Sequence, residues 1–443
     1  MKLSEKHLKI LFVILVTGIT LYFQVMRLIN IPITWDEGLT YAIHCRNIFR
    51  ENDFVTGITK YLTEFSEDAA NNHLLNTLMI GAADKIFGTE YDQTVIRFPI
   101  CLFFVLYLYL CIKEFLQGKI SWIGFVFLLG CSYVNEFFAL ARGYAMAATL
   151  VFFSTVMYKR WVDSGKDRYI VFAFYLLLLA ETANTATILL TASVAVAFFI
   201  KMIFEKRLLS ILKKLWLPMV IYAGLQILVV IHHMHISEWD ESLYADNEGT
   251  VADMLINMLN LHAETAVFSV ISISIFAILV ALNIYFLVKK KTKISDYDIA
   301  ILIPIYALIC FAAVTVTTEG GYPLGRVLII THPVVALTLD QLCTGLRKGF
   351  DGEKAGRILR PLTVLGVAFI LTMLIVNTDP TKSTDWPEAQ LYKDTVYEVY
   401  NNKMKVDRDY FKKVEQNTDA FRYWRWKIID EDGVDVYSEM VFD

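Results

Sequence analysis

Charge is what this sequence has least of. Only 19% of its 443 residues are Asp, Glu, Lys or Arg, while 56% are apolar and the mean hydropathy is +0.48. Those values exclude an ordinary soluble domain and point to an integral membrane protein. The net charge of −4 carries no surplus of basic groups, so no nucleic-acid partner is expected. No CxxC pair occurs. Cys101, Cys111, Cys131 and Cys310 lie inside apolar runs, Cys343 lies near the end of another, and only Cys45 is in a polar loop, which excludes a disulfide framework. A Gly-rich phosphate loop and a nucleophile elbow are both missing, which argues against a cytosolic nucleotide-sugar site. Internal repeats and low-complexity tracts are absent as well. The chain has no Asn-x-Ser/Thr sequon, a lack that fits a bacterial plasma membrane.

Long apolar runs are abundant. Taking runs of about 17 to 25 residues as spans gives roughly eleven, near 8–26, 97–115, 120–138, 143–158, 169–183, 187–202, 215–232, 265–288, 298–316, 327–345 and 361–377. The fold class expected is an all-α polytopic membrane bundle. The first run follows a basic start and has no small-residue cleavage site, so it is expected to be retained as a span. Short loops such as YKRWVDSGKDR and VKKKTK gather about 23 of the 41 Lys and Arg on one side, which the positive-inside rule makes cytoplasmic. The N-terminus is then cytoplasmic, and the long segments 27–96 and 232–264 face outward. The second of these contains no Lys or Arg. Apolar periodicity stops near 377, so 1–377 is expected to be the transmembrane catalytic domain and 378–443 a small extracytoplasmic region.

The first outward loop, 27–96, holds the unusual residues. Asp36 and Glu37 stand side by side just after the first span. Thr34 to Glu37 also spells a capping box, and a cap leaves Asp36 free for chemistry. Farther on, 71–88 has an apolar stripe of Leu74, Leu75, Leu78, Met79, Ala82 and Phe87, which predicts an amphipathic helix in the outer interface, closed by Gly88. Arg97, Arg142 and Arg326 each abut an apolar run on the side where basic residues are scarce. Each could snorkel to lipid phosphate or pair with Asp36, Glu136 or Glu319. Three together suit a phosphate group, which a guanidinium binds bidentately.

Weaker signals are His232 and His235 in HHMH, Glu181 and Asn184 at a tight turn, and the alternating FRYWRWK of 421–427. Each has a functional and a structural account: zinc ligands or interfacial histidines for the first, a donor-facing role or an exposed turn for the second, and stacking on sugar or headgroups or an edge strand packed on the outer loops for the third.

Taken in order, an acidic pair after the first span, a helix opening at His73, the Arg97-Phe98-Pro99 string, the Arg142-x-Tyr144 turn and Tyr322-Pro323 shortly before Arg326 resemble the GT-C membrane glycosyltransferases. The likeness is to the branch of protein mannosyltransferases and lipid A aminoarabinose transferases, and it covers about residues 8 to 345, leaving the C-terminal region unmatched. It implies a polyprenyl-phosphate-linked sugar donor and a lipid, protein or glycan acceptor at the outer face. Asp36 would be the catalytic acid of the first loop with Glu37 beside it, and Arg97, Arg142, Tyr144 and Arg326 would hold the donor phosphate. His73 would match the histidine opening the family's His-Pro-Pro helix, although Leu74 and Leu75 follow it here. Glu136, Glu319 and Tyr322 would complete the substrate site. Some relatives use a second acid as a metal ligand, so a divalent metal stays open. The rival readings are a lipid or oligosaccharide transporter or flippase, in which charges line a pathway, and a surface-polysaccharide polymerase or ligase.

Overall fold

The computed structural model describes residues 5–31, 37, 40, 56, 73–87, 93–239, 250–260, 266–317, 322–323, 325–350, 352–376, 378, 405–406 and 428–429. Its helices are α1 (Glu5–Asn30), α2 (Leu74–Phe87), α3 (Gln93–Leu116), α4 (Trp122–Gly130), α5 (Ser132–Phe137), α6 (Gly143–Ser164) and α7 (Asp167–Ala183). There follow α8 (Thr187–Phe204), α9 (Leu208–Trp239), α10 (Val251–Asn260), α11 (Ala266–Val288), α12 (Leu302–Thr317), α13 (His332–Gly349) and α14 (Gly352–Val376). A 3₁₀ turn at Gly325–Thr331 leads into α13. In the C-terminal region the two-residue strands Lys405–Val406 and Ile428–Ile429 pair antiparallel.

Every apolar run read from the sequence carries helix. Six helical segments are long and apolar enough to cross a membrane: Glu5–Asn30, Thr94–Leu116, Thr187–Phe204, Leu208–Ile231, Val270–Val288 and Gly325–Gly349. Leu302–Thr315 and Arg360–Val376 are apolar but shorter. The run 120–138 is not one helix. It breaks at Cys131, whose extended backbone (φ −77°, ψ 108°) separates α4 from α5. Polar side chains take the freed groups: Asn135 donates to Leu129 O at 2.7 Å, and Arg27 donates to Ser132 O at 2.8 Å. In α9 the helix bends at Leu215 (φ −110°, ψ 17°), three residues before Pro218, whose ring cannot accept a straight helix behind it.

α6 is the centre of the bundle. Nearly all of it from Gly143 to Tyr158 is buried, and its alanines at 145, 147 and 148 let neighbouring backbones come close. α7 returns alongside it after Gly165, which caps α6 in the left-handed region (φ +65°), and Ser154 Oγ donates across to Ala173 O at 2.9 Å. α3, the 3₁₀ turn and α13 close the other sides of the core. α13 is pinned in turn. Ser121 N donates to Asp340 Oδ1 at 2.7 Å, and Asn283 Nδ2 donates to Leu342 O at 3.1 Å. α10 opens with a reciprocal Thr250–Asp253 capping box and turns Met254 and Met258 inward against the 3₁₀ turn and the helices around it.

α2 forms where the sequence predicts a helix, but its inward face is not the expected apolar stripe. Asn76, Thr77, Ile80, Ala83 and Asp84 are buried, whereas Ala82, Ile86 and Phe87 are exposed. The reason lies in what it covers, because the helix caps a polar chain turn rather than an apolar groove.

Candidate functional site

The turn between α5 and α6 is held on both backbone groups of one residue, Ala141. Ala141 N donates to Glu37 Oε1 at 2.6 Å, and Ala141 O accepts from Asn76 Nδ2 at 2.7 Å. Both partners belong to the first long loop. That clamp sets the backbone of Arg142, which is extended (φ −118°, ψ 145°) and stands at the N-cap of α6 with no side-chain cap of its own. The start of a 22-residue helix presents N–H groups and the positive end of its dipole, so a guanidinium there adds to an already anion-seeking field.

Gly143 follows, and only glycine fits. A Cβ there would lie 1.7 Å from the Ala183 carbonyl and 2.8 Å from the His73 Cβ, so the start of α6, the end of α7 and the residue before α2 meet at this point. Tyr144 then faces His73 edge-on, with ring centroids 5.3 Å apart and planes at 79°, and meets Phe137 similarly at 5.2 Å. Arg142 lies over the Tyr144 ring with its Cζ 5.2 Å from the centroid. Arg326 reaches the same place from the 3₁₀ turn, after Gly325 at φ +55°, and is half-buried. Tyr322 packs at the edge of the core on the same chain segment.

His73 registers this convergence. It is 7% exposed, and neither ring nitrogen has a hydrogen-bond partner among the described residues. Burial first, and then the charges of Arg142 and Arg326, push its pKa down to about 3. The imidazole is therefore neutral at physiological pH, offering one N–H and one lone pair. A histidine held below its unfolded value near 6.5 contributes stability that is complete above pH 6.5 and lost as pH falls towards about 3. Replacing His73 with Asn should flatten that acid limb by up to ~1.4 kcal/mol per pH unit, visible as a weaker pH dependence of the thermal midpoint between pH 6.5 and 4. An unchanged slope would show that the ring is not held neutral.

The structure sorts the other site expectations. Arg97 and Glu37 form a buried fork: Nε donates to Oε1 at 2.8 Å and Nη2 to Oε2 at 2.7 Å, while Arg97 Nη1 donates to Ile31 O at 2.8 Å. Both side chains are buried to 1% exposure or less. Arg97, expected as a phosphate ligand, and Glu37, expected as a catalytic carboxylate, are thus bonded to each other in this structure. Their polar atoms are spent on each other and on fixing the end of α1 and the Ala141 peptide. Glu136, expected in the substrate site, is also fully buried, with its Oε2 3.5 Å from Arg27 Nη2, so it balances the charge of Arg27. Arg27 escaped the sequence reading, although it too abuts an apolar run. Asn76 escaped it as well, hidden by the apolar stripe on α2.

Asp36, Glu319, Thr34 of the capping box and 421–427 lie outside the described residues, as do the side chains of His232 and His235. Among the described residues no group of three His, Cys, Asp or Glu is placed to hold a metal. The five described cysteines are unbridged.

The opposite end of α6 is different in kind. A cavity of about 40 Å³ lies there among Lys119, Lys159, Arg160, Glu114, Asp163 and Asp340, with three charges of each sign. Arg160 and Lys119 pair with Glu114, and Lys159 with Asp163, so the charged lining pairs largely with itself. The cluster of His73, Arg142, Tyr144 and Arg326 is thus the candidate site. No family model, curated protein or solved structure matches this chain, and its function is argued from that cluster.

Proposed function

We propose that this chain is a GT-C-type membrane glycosyltransferase that crosses the bilayer eleven times, with the His73 end of the bundle and the C-terminal region outside the cell. It moves a sugar from a polyprenyl-phosphate carrier to an acceptor hydroxyl. The observation that carries this reading is the convergence of Arg142 and Arg326, from helices far apart in sequence, around a neutral His73 at one end of an apolar bundle. A lipid carrier presents its phosphate at that level, where the hydrocarbon ends.

The chemistry follows from the charges. The acceptor oxygen bonds to the anomeric carbon, the bond from that carbon to the phosphate oxygen breaks, and the phosphate leaves with the electron pair. Arg142, Arg326 and the start of α6 stabilise the charge that grows on it. The acceptor proton goes to Asp36, chain neighbour of the Glu37 that is bonded to the Ala141 peptide. One displacement of this kind inverts the anomeric centre. Resident charges support an enzyme over a transporter or flippase, because they gather at the two ends of the bundle: Glu37, Arg97 and Arg142 at one, Glu114, Arg160, Asp167 and Lys214 at the other.

Binding tests the reading directly. Bare polyprenyl phosphate, titrated onto the protein in nanodiscs, should bind about tenfold more weakly after Arg142→Ala or Arg326→Ala, one lost charged hydrogen bond each. Unchanged affinity in both variants would discard the phosphate site.

A further inference from the structure

We propose that the end of the bundle opposite His73 binds a phospholipid whose headgroup carries two phosphates. The platform for it is the lysine run 289–293, which follows α11, together with Lys348 near the end of α13. Arg326 precedes α13 and Lys348 all but closes it, so this site and the candidate site are a full span apart. It is independent of the reaction proposed for the His73 end.

Close packing of two spans holds the platform. α11 and α13 meet on glycine: a Cβ on Gly345 would lie 2.1 Å from Asn283 Oδ1, and one on Gly349 would lie 2.3 Å from the Phe286 ring. Tyr297 OH donates to the same Asn283 oxygen at 2.7 Å, which fastens the single 3₁₀ turn Ile294–Tyr297 to this junction. The apolar segments Val270–Val288 and Gly325–Gly349 therefore finish side by side, at the level where hydrocarbon gives way to headgroups. Lys289, Lys290, Lys291 and Lys293 follow at once, all exposed.

Charge there is one-sided. Among the described residues Asp296 is the acid that meets this group: its Oδ1 accepts from Lys348 Nζ at 2.7 Å and its Oδ2 from the backbone N of Lys293 at 2.9 Å. The next acid along, Asp298, pairs with Lys201 instead. Arg160, Arg207 and Lys214, at the same end of the bundle, each have an acid of their own. Lys289, Lys290 and Lys293 form no ion pair among the described residues. The ammonium groups of the run and of Lys348, set against one carboxylate, leave a surplus spread over two elements, which suits two phosphates rather than one.

The apolar neighbours point to a lipid rather than a soluble polyphosphate. Val288 and Ile294, one on each side of the lysine run, are both 73% exposed. Acyl chains cover them once the headgroup rests on the lysines, whereas a soluble anion would leave Ile294 in water. Tyr285 is also exposed, with Lys289 Nζ 5.9 Å from its ring centroid, the placing of an interfacial aromatic.

The backbone adds a second sign. α11 ends in a Schellman turn, in which Lys290 N donates to Leu287 O and Lys291 N to Phe286 O, both at 2.9 Å, with Lys290 in the left-handed region at φ +56°. Glycine is the usual residue there, and a lysine adopts that conformation against its own preference. A side chain kept at a glycine position points to a use for that side chain.

Lys290→Gly gives a clean test, because it removes an ammonium group and suits the backbone at once. The full chain in detergent is titrated with cardiolipin, which has two phosphates, and with phosphatidylglycerol, which has one, and bound lipid is read by native mass spectrometry. The native protein should hold cardiolipin about tenfold more tightly than phosphatidylglycerol. The double variant Lys289→Gln with Lys290→Gly should lose most of that preference while its thermal midpoint without lipid equals or exceeds the native one. Lys206→Gly makes the same change at another left-handed lysine (φ +54°), just after α8, and should leave the preference intact. Equal affinity of the native protein for the two lipids would overturn the site. So would a double variant that keeps the native preference. Loss of the preference in Lys206→Gly to the same extent would overturn it as well, since charge anywhere on this face would then suffice.

Discussion

Arg97→Ala should destabilise the protein by about 3–5 kcal/mol, the largest stability loss expected of any single change at this end of the bundle. The pair it breaks is 1% exposed or less on both sides, and removal of the guanidinium leaves the Glu37 carboxylate buried without this charged partner. The Ile31 carbonyl loses its donor at the same time, so the exit of α1 loosens. Arg97→Lys should recover only part of the loss, since one ammonium cannot bridge both carboxylate oxygens and still reach Ile31. Glu37→Gln is milder in its geometry. Its amide oxygen still accepts from Ala141 N, and the charge on Arg97 is then the group left uncompensated. Thermal unfolding in detergent measures the series, and an Arg97→Ala protein as stable as the native one would mean that the fork is ornamental. Catalysis has a different signature, because a structural pair lowers stability and activity together.

That pair also shows where the sequence was legible and where it was not. Apolar runs predict helices well because length and composition alone carry the signal, and each run from 8–26 to 361–377 contains helix. Breaks inside a run were invisible. Nothing in 120–138 announces that Arg27 will take the Ser132 carbonyl and split α4 from α5. At the site, the scarcity of basic residues on one side singled out Arg97, Arg142 and Arg326, but not that Arg97 would take Glu37 as a partner. Partner choice depends on a contact 60 residues away in sequence, Glu37 to Arg97, and a carboxylate beside Asp36 looks the same in the chain whether it clamps or reacts. The buried face of α2 was missed for a related reason. Periodicity marks apolar stripes, whereas Asn76 faces inward because a peptide carbonyl waits there. Glu181 was read as an exposed turn, since a helix end next to Asn-Thr gives no hint that α9 covers it.

Asp36→Asn should lower sugar transfer by about 10²–10⁴-fold, the range a positioned general base supplies, while folding and carrier binding stay near native. Stability is spared because the clamp on the Ala141 peptide is made by Glu37, whose two oxygens already accept from Arg97 and from Ala141 N. Binding is spared because the phosphate contacts assigned to Arg142 and Arg326 precede any proton transfer. The loss should therefore fall on kcat, with KM for the carrier little changed, the mark of an interaction made only in the transition state. Glu37→Gln separates the two acids: it should reduce stability and activity in step, whereas Asp36→Asn removes turnover from a protein of native thermal midpoint. Initial rates with a polyprenyl-phosphate hexose, followed by mass-resolved detection of the glycosylated acceptor, read both. Native turnover in Asp36→Asn would leave the proton without its acceptor and end the assignment of Asp36 as base, whatever the arginines do.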